Sequence, residues 1–98
     1  MNIIKEKTNT TLHVALAGRI DTVTAYDFGT QINDDLDDVK TLVLDFGGVD
    51  YVSSIGLRVI LELQKTMNAN GTMKITNLQP QILRIFEMTG FVNILTIV

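Results

Sequence analysis

The stretch TLVLDFGGVDYVSSIGLRVIL, Thr41 to Leu61, decides the fold, because a strand signal and a helix signal stand in it back to back. Thr41–Phe46 is a continuous apolar run between Lys40 and Gly47-Gly48, which predicts a central strand covered on both faces. The glycine pair predicts a tight turn. It is no phosphate loop, since the lysine and hydroxyl that follow spaced glycines in such a loop are missing, as is any GxGxxG. From Ser53 onward apolar residues recur at helical spacing to about Ala69, and Asn70-Gly71 ends the helix.

Placed at about 100° per residue, Val59, Ile60, Leu63 and Met67 share one face of this helix, and Arg58, Glu62 and Lys65 form the opposite, solvated stripe. Leu57 and Leu61 belong to neither group and lie on a flank, with Ser54 beside Leu61 and near Arg58. They either pack on a neighbouring helix or form a partly exposed apolar ridge fit to dock a protein. A serine at the N-cap accepts a bond from an unpaired backbone N–H. Two serines exceed that need, and the spare hydroxyl would carry a phosphate at the positive end of the helix dipole.

Upstream, Met1–Lys7 predicts a first strand and the Thr-Asn-Thr-Thr cluster at 8–11 a turn. In the second strand Leu12, Val14 and Leu16 alternate with His13 and Ala15, up to Gly18. Asp21 or Thr22 caps a helix to about Leu36, with Val23, Ala25, Tyr26, Ile32 and Leu36 among its apolar positions. The acidic run Asp34, Asp35, Asp37, Asp38 is unfavourable at a helix C-terminus, so a frayed, solvated end is expected there. Downstream, Thr72–Asn77 predicts a short strand, Pro80 opens a third helix through Met88, Gly90 stops it, and Asn93–Val98 predicts a last strand. The expected architecture is one α/β domain over residues 1–98, a mixed, mostly parallel β-sheet with helices packed against it, in the order β-β-α-β-α-β-α-β.

With 46% apolar and 19% charged residues the chain has a globular composition. The net charge of -3, with lysines and arginines scattered, speaks against direct nucleic-acid binding. The absence of cysteine excludes thiolate metal sites and thiol nucleophiles, and the single histidine, His13, has no triad partner. No cofactor and no metal are expected. No N-terminal segment resembles a signal peptide, and no apolar run approaches the roughly 18–20 residues needed to cross a bilayer. The helix after Ser54 carries only Arg58 and Lys65 as cations, too few for a membrane-surface helix, so the expected location is the cytoplasm. Asp21, Asp45 and Asp50 lie near strand ends, where sites form in parallel sheets, but they have no base, metal partner or electrophile beside them.

Three segments resemble the STAS domain, in particular the small bacterial anti-sigma factor antagonists: ALAGRIDTVTA at 15–25, TLVLDFGGVDYVSSIGLRVIL at 41–61, and the last helix with its MTGF turn. The resemblance implies a protein that binds an anti-sigma factor, itself a serine kinase, and so frees the sigma factor. Phosphorylation of one serine abolishes that binding, and a serine phosphatase restores it. Matching the motif through Gly56-Leu57 places the acceptor at Ser54, with Ser53 as second choice. Asp21 matches an acidic position near that serine in relatives. The expected partner-binding residues are Asp21, Ser53, Ser54, Leu57, Arg58 and Leu61. Ile55 departs from the pattern, because the position after the acceptor is commonly small. Two other functions compete: a STAS scaffold in a lipid-transport or larger signalling complex, where the hydroxyls merely cap, and an enzyme using Asp21 and Asp50.

Overall fold

The computed structural model describes residues 1–98. In chain order it has β1 (Asn2–Thr8), β2 (Thr11–Ile20), α1 (Thr22–Asn33), β3 (Thr41–Val52), α2 (Ser54–Asn70), β4 (Thr72–Thr76), α3 (Pro80–Met88) and a 3-10 turn at Phe91–Asn93. The sheet order is β1-β2-β3-β4, with β1 antiparallel to β2 and the other two pairs parallel. A two-residue loop joins β1 to β2. Its Asn9 has φ 56°, a left-handed conformation that asparagine tolerates better than most residues.

Burial alternates along every inner strand. Leu12, Val14 and Leu16 of β2, Leu42, Leu44 and Phe46 of β3, and Met73 and Ile75 of β4 are buried under the helices. His13, Ala15 and Lys74 point the other way and are exposed, while Val43 and Asp45 are half-buried. The central strand is therefore covered on one face, not two. Val43 made the run look continuous, but it is an outward residue between two inward leucines. Phe86 of α3 meets Phe46 edge-on at 6.4 Å between ring centres and seats that helix on β3.

Four further expectations need correction. Gly47-Gly48 makes no turn; both residues lie inside β3, which runs on to Val52. The register against β2 shifts between Ala15 and Ala17 and again between Gly18 and Arg19, so β3 holds an extra residue at each of two bulges. A Cβ on Gly48 would come within 2.7 Å of the Ala17 Cβ and 2.9 Å of the Leu16 carbonyl oxygen, so the glycine is required by close approach.

The first helix stops at Asn33, three residues short of Leu36, which turns into the core beyond the helix end. Its buried stripe is Ala25, Phe28, Gly29 and Ile32, whereas Val23 and Tyr26 are exposed. The acidic run after it is not simply solvated. Lys5 lies 2.6 Å from Asp35 and Lys7 pairs with Asp38, because Lys5 and Lys7 sit opposite Val14 and Leu12 in the ladder and so share the helix-covered face at the sheet edge. The last predicted strand is reduced to one parallel bridge, Ile75 to Ile97. The 3-10 turn consumes the residues before it, and only Thr96–Val98 reach the edge of β4.

Candidate functional site

Two helices start side by side where two paired strands end. Ile20 of β2 is in register with Val52 of β3, and the next residues, Asp21 and Ser53, are the N-caps of α1 and α2. The Ser53 N–H donates to the Ile20 carbonyl at 2.8 Å and ties the two ends together. Loop ends beyond the carboxyl ends of parallel strands are the usual place for a site in such folds.

Asp21 is engaged in a capping box. Its carboxylate accepts the N–H groups of Val23 (3.0 Å) and Thr24 (2.9 Å), and the Thr24 hydroxyl accepts the Asp21 N–H at 2.9 Å. The hydrogen bonds from Thr24, backbone and side chain, hold the Asp21 carboxyl below its ordinary value of 3.8. Ser53 is half-buried, and its Oγ accepts the Gly56 N–H at 3.0 Å. Gly56 permits this close seating. A Cβ there would stand 2.7 Å from Ile20 Cγ2 and 3.0 Å from Val52 Cγ1.

Ser54 is the first residue of α2 and is exposed, and its hydroxyl makes no hydrogen bond within the chain. Arg58, one turn further, is exposed as well. Leu57 is half-buried and packs against the core, and Leu61 is half-buried on the same flank. The neighbouring helix α1 is met by other residues: Ile55 and Val59 line a groove of about 270 Å³ between α1 and α2, together with Tyr26, Gly29, Arg58 and Glu62. Ile55, the departure from the family motif, is thus a wall of that groove and is half-buried there.

Residues Asp21, Ser53, Ser54, Leu57, Arg58 and Leu61 all belong to the first two turns of α2 or to the strand end beside them. The residues not anticipated as surface are Val23 and Tyr26, which are 80% and 64% exposed on α1; Tyr26 lines the groove, and the Val23 N–H donates to the Asp21 carboxylate. The signal was present: Ala25, Phe28, Gly29 and Ile32 already complete an i, i+3, i+4, i+7 stripe and leave the other two outside it. Arg19 and Tyr51, paired in register at the ends of β2 and β3, form a cation–π contact with the guanidinium 4.1 Å from the ring centre.

The remaining candidates stand apart. Asp45 accepts the Gly47 N–H at 2.9 Å and the Asn77 amide at 3.1 Å, and Asp50 is exposed on β3. No three His, Cys, Asp or Glu residues are grouped to hold a metal ion, and no helix is long and apolar enough to cross a membrane.

Known proteins share this fold. The STAS domain matches residues 2–98. A Bordetella bronchiseptica protein, BtrV, named as a candidate anti-sigma factor antagonist, is 30% identical over 96 residues, covering 96% of this chain and 83% of that protein. Among solved structures, an anti-sigma factor antagonist from Mycobacterium paratuberculosis superposes with a TM-score of 0.87 at 22% identity, over 98% of this chain and 83% of that one. The Bacillus cell fate determinant SpoIIAA in its phosphorylated form superposes at 0.77 with 19% identity, over 99% and 91%. These likenesses at low identity concern the fold, while the match along nearly the whole chain decides membership: the chain belongs to the STAS domain family.

Proposed function

We propose that this protein is an anti-sigma factor antagonist, a binding module with a covalent off-switch. It docks on an anti-sigma factor that is also a serine kinase, through the surface formed by Asp21, Ser53, Ser54, Leu57, Arg58 and Leu61, with Val23 and Tyr26 beside it. Binding frees the sigma factor. The kinase then moves the γ-phosphoryl group of ATP to Ser54 Oγ: the new O–P bond forms as the bond to the β-phosphate oxygen breaks, ADP leaves, and the hydroxyl proton passes to a base of the kinase. A serine phosphatase hydrolyses the ester and restores the hydroxyl.

The observation that carries this reading is the difference between the two hydroxyls. Ser53 is committed to the Gly56 N–H, whereas Ser54 is exposed and unbonded at the first position of α2. A phosphate there adds about two negative charges at a helix start that tolerates them. The fold is spared. A docked partner is not, because those charges must be desolvated beside Leu57 and Leu61.

The test uses the purified chain with its kinase partner and ATP. Peptide mass mapping is expected to find one phosphate, on Ser54. Ser54→Ala is expected to bind the unloaded kinase as the parent does, and Ser54→Asp at least about tenfold more weakly, equivalent to roughly 1.4 kcal/mol. Equal affinities for all three forms would sink the switch.

A further inference from the structure

Arg58 is the only cation in the first two turns of α2, and it is exposed. It takes no part in the ion pairs, which join Lys5 to Asp35 and Lys7 to Asp38 at the far sheet edge. It stands four residues after Ser54 and four before Glu62. On a helix both are therefore one turn away and only about 40° around the axis from it. Two other charged groups at the strand ends are occupied: three donors engage the Asp21 carboxylate, and the Arg19 guanidinium covers the Tyr51 ring, while Asp50 on β3 is exposed.

We propose that, once Ser54 carries a phosphate, Arg58 becomes its counter-ion within the same helix, so that one modification both adds negative charge and withdraws the cation from the α1–α2 groove. The inference rests on Ser54 as the acceptor. A guanidinium presents a planar fork that matches phosphate oxygens in pairs, and an anion placed four residues before a cation is the favourable order on a helix. Glu62 is the rival partner, but a single carboxylate charge one turn on the C-terminal side is weaker than a phosphate near the helix start. The groove wall holds Arg58 and Glu62 as opposite charges before modification. Afterwards Glu62 is left without its neutralising neighbour, and the groove turns acidic. A partner that fits the unmodified surface meets two changes, one at Ser54 and one along the groove.

The test separates this pairing from the kinase reaction. Phosphoserine is incorporated at position 54 during translation, without a kinase, in the parent, in R58Q and in R58K, and the phosphate is titrated by phosphorus NMR. The second phosphate pKa is expected to be about 0.3 pH unit lower in the parent than in R58Q, the size an i, i+4 ion pair supports, with R58K in between. The unphosphorylated parent and R58Q should melt within about two degrees of each other, since Arg58 joins no ion pair in the unmodified chain and only faces Glu62 across one exposed turn. Identical titrations in parent and R58Q overturn the pairing and leave Ser54 as acceptor untouched. Failure of the kinase to modify Ser54 overturns the proposed function instead and leaves this titration readable.

Discussion

Ser53 and Ser54 carry the same hydroxyl one residue apart, and one hydrogen bond separates their roles. Ser53 Oγ holds the Gly56 N–H, one of the four donors that a helix start leaves without a partner in its own helix. Ser53→Ala is therefore expected to lower stability by about 1 kcal/mol, whereas Ser54→Ala should stay within about 0.5 kcal/mol of the parent. Denaturant midpoints of the three proteins check this; equal losses for both would show that the cap is shared. The pair was legible in the sequence as a helix start with a spare hydroxyl, and the family motif, by placing the acceptor at Ser54, left Ser53 as the cap; local chemistry alone would let either serine cap. That choice depends on the backbone: Ser53 is extended, with ψ 171°, and its N–H is anchored on Ile20 of another strand, a contact between residues 33 positions apart. Ile55 shows the same limit. Its departure from the family motif is plain in the sequence, but its place in the wall of a groove is set by α1, a helix from another part of the chain.

At the scale of elements, helix starts were the most legible feature, because Asp21, Ser53 and Pro80 act through atoms within three or four residues of themselves. Strand boundaries were less so. Gly47-Gly48 carries a turn signal on local chemistry, but tertiary contact overrides it: the glycines allow β2 and β3 to approach at a bulge. The two positions are not equivalent. A Cβ on Gly48 meets Ala17 and the Leu16 carbonyl, both held in β2, while a Cβ on Gly47 meets the Asp45 carboxylate at 3.1 Å and the Asn77 side chain at 3.5 Å. Gly48→Ala is thus expected to cost about 2 kcal/mol or more, and Gly47→Ala clearly less, in thermal or chemical unfolding. The reverse order would mean that the ladder yields more readily than the two side chains. The last strand failed for a different reason. NILTIV has strand composition, yet what the chain can pair with depends on how much of it the turn at Phe91–Asn93 consumes.

Across the whole molecule the charge is sorted by position. The excess acid after α1 is drawn to the lysines of β1, and the Asp21 carboxylate caps the helix beside Ser53. Two carboxyls sit below their ordinary value of 3.8: Asp21 through its hydrogen bonds from Thr24, and Asp38 through the hydrogen bond and charge of Lys7. A lowered folded pKa stabilises the fold fully above the unfolded value and loses that contribution as pH falls through the folded one. Melting temperature between about pH 5 and pH 2 should then fall more steeply in the parent than in Asp21→Asn or Asp38→Asn; superimposable acid limbs would contradict both assignments. The two bulges of β3 have a consequence on the same scale. Between the paired residues Thr11 and Thr41 at one end and Ile20 and Val52 at the other, β2 spends ten residues and β3 twelve. They are lanes of unequal length on one track. At about 3.3 Å per residue the outer lane has roughly 7 Å of surplus path, and a strip with one longer side cannot lie flat. The point at which Ser53 and Ser54 arrive beside Asp21 is therefore a matter of counting: exchanging side chains leaves the count unchanged, and only a gained or lost residue alters it.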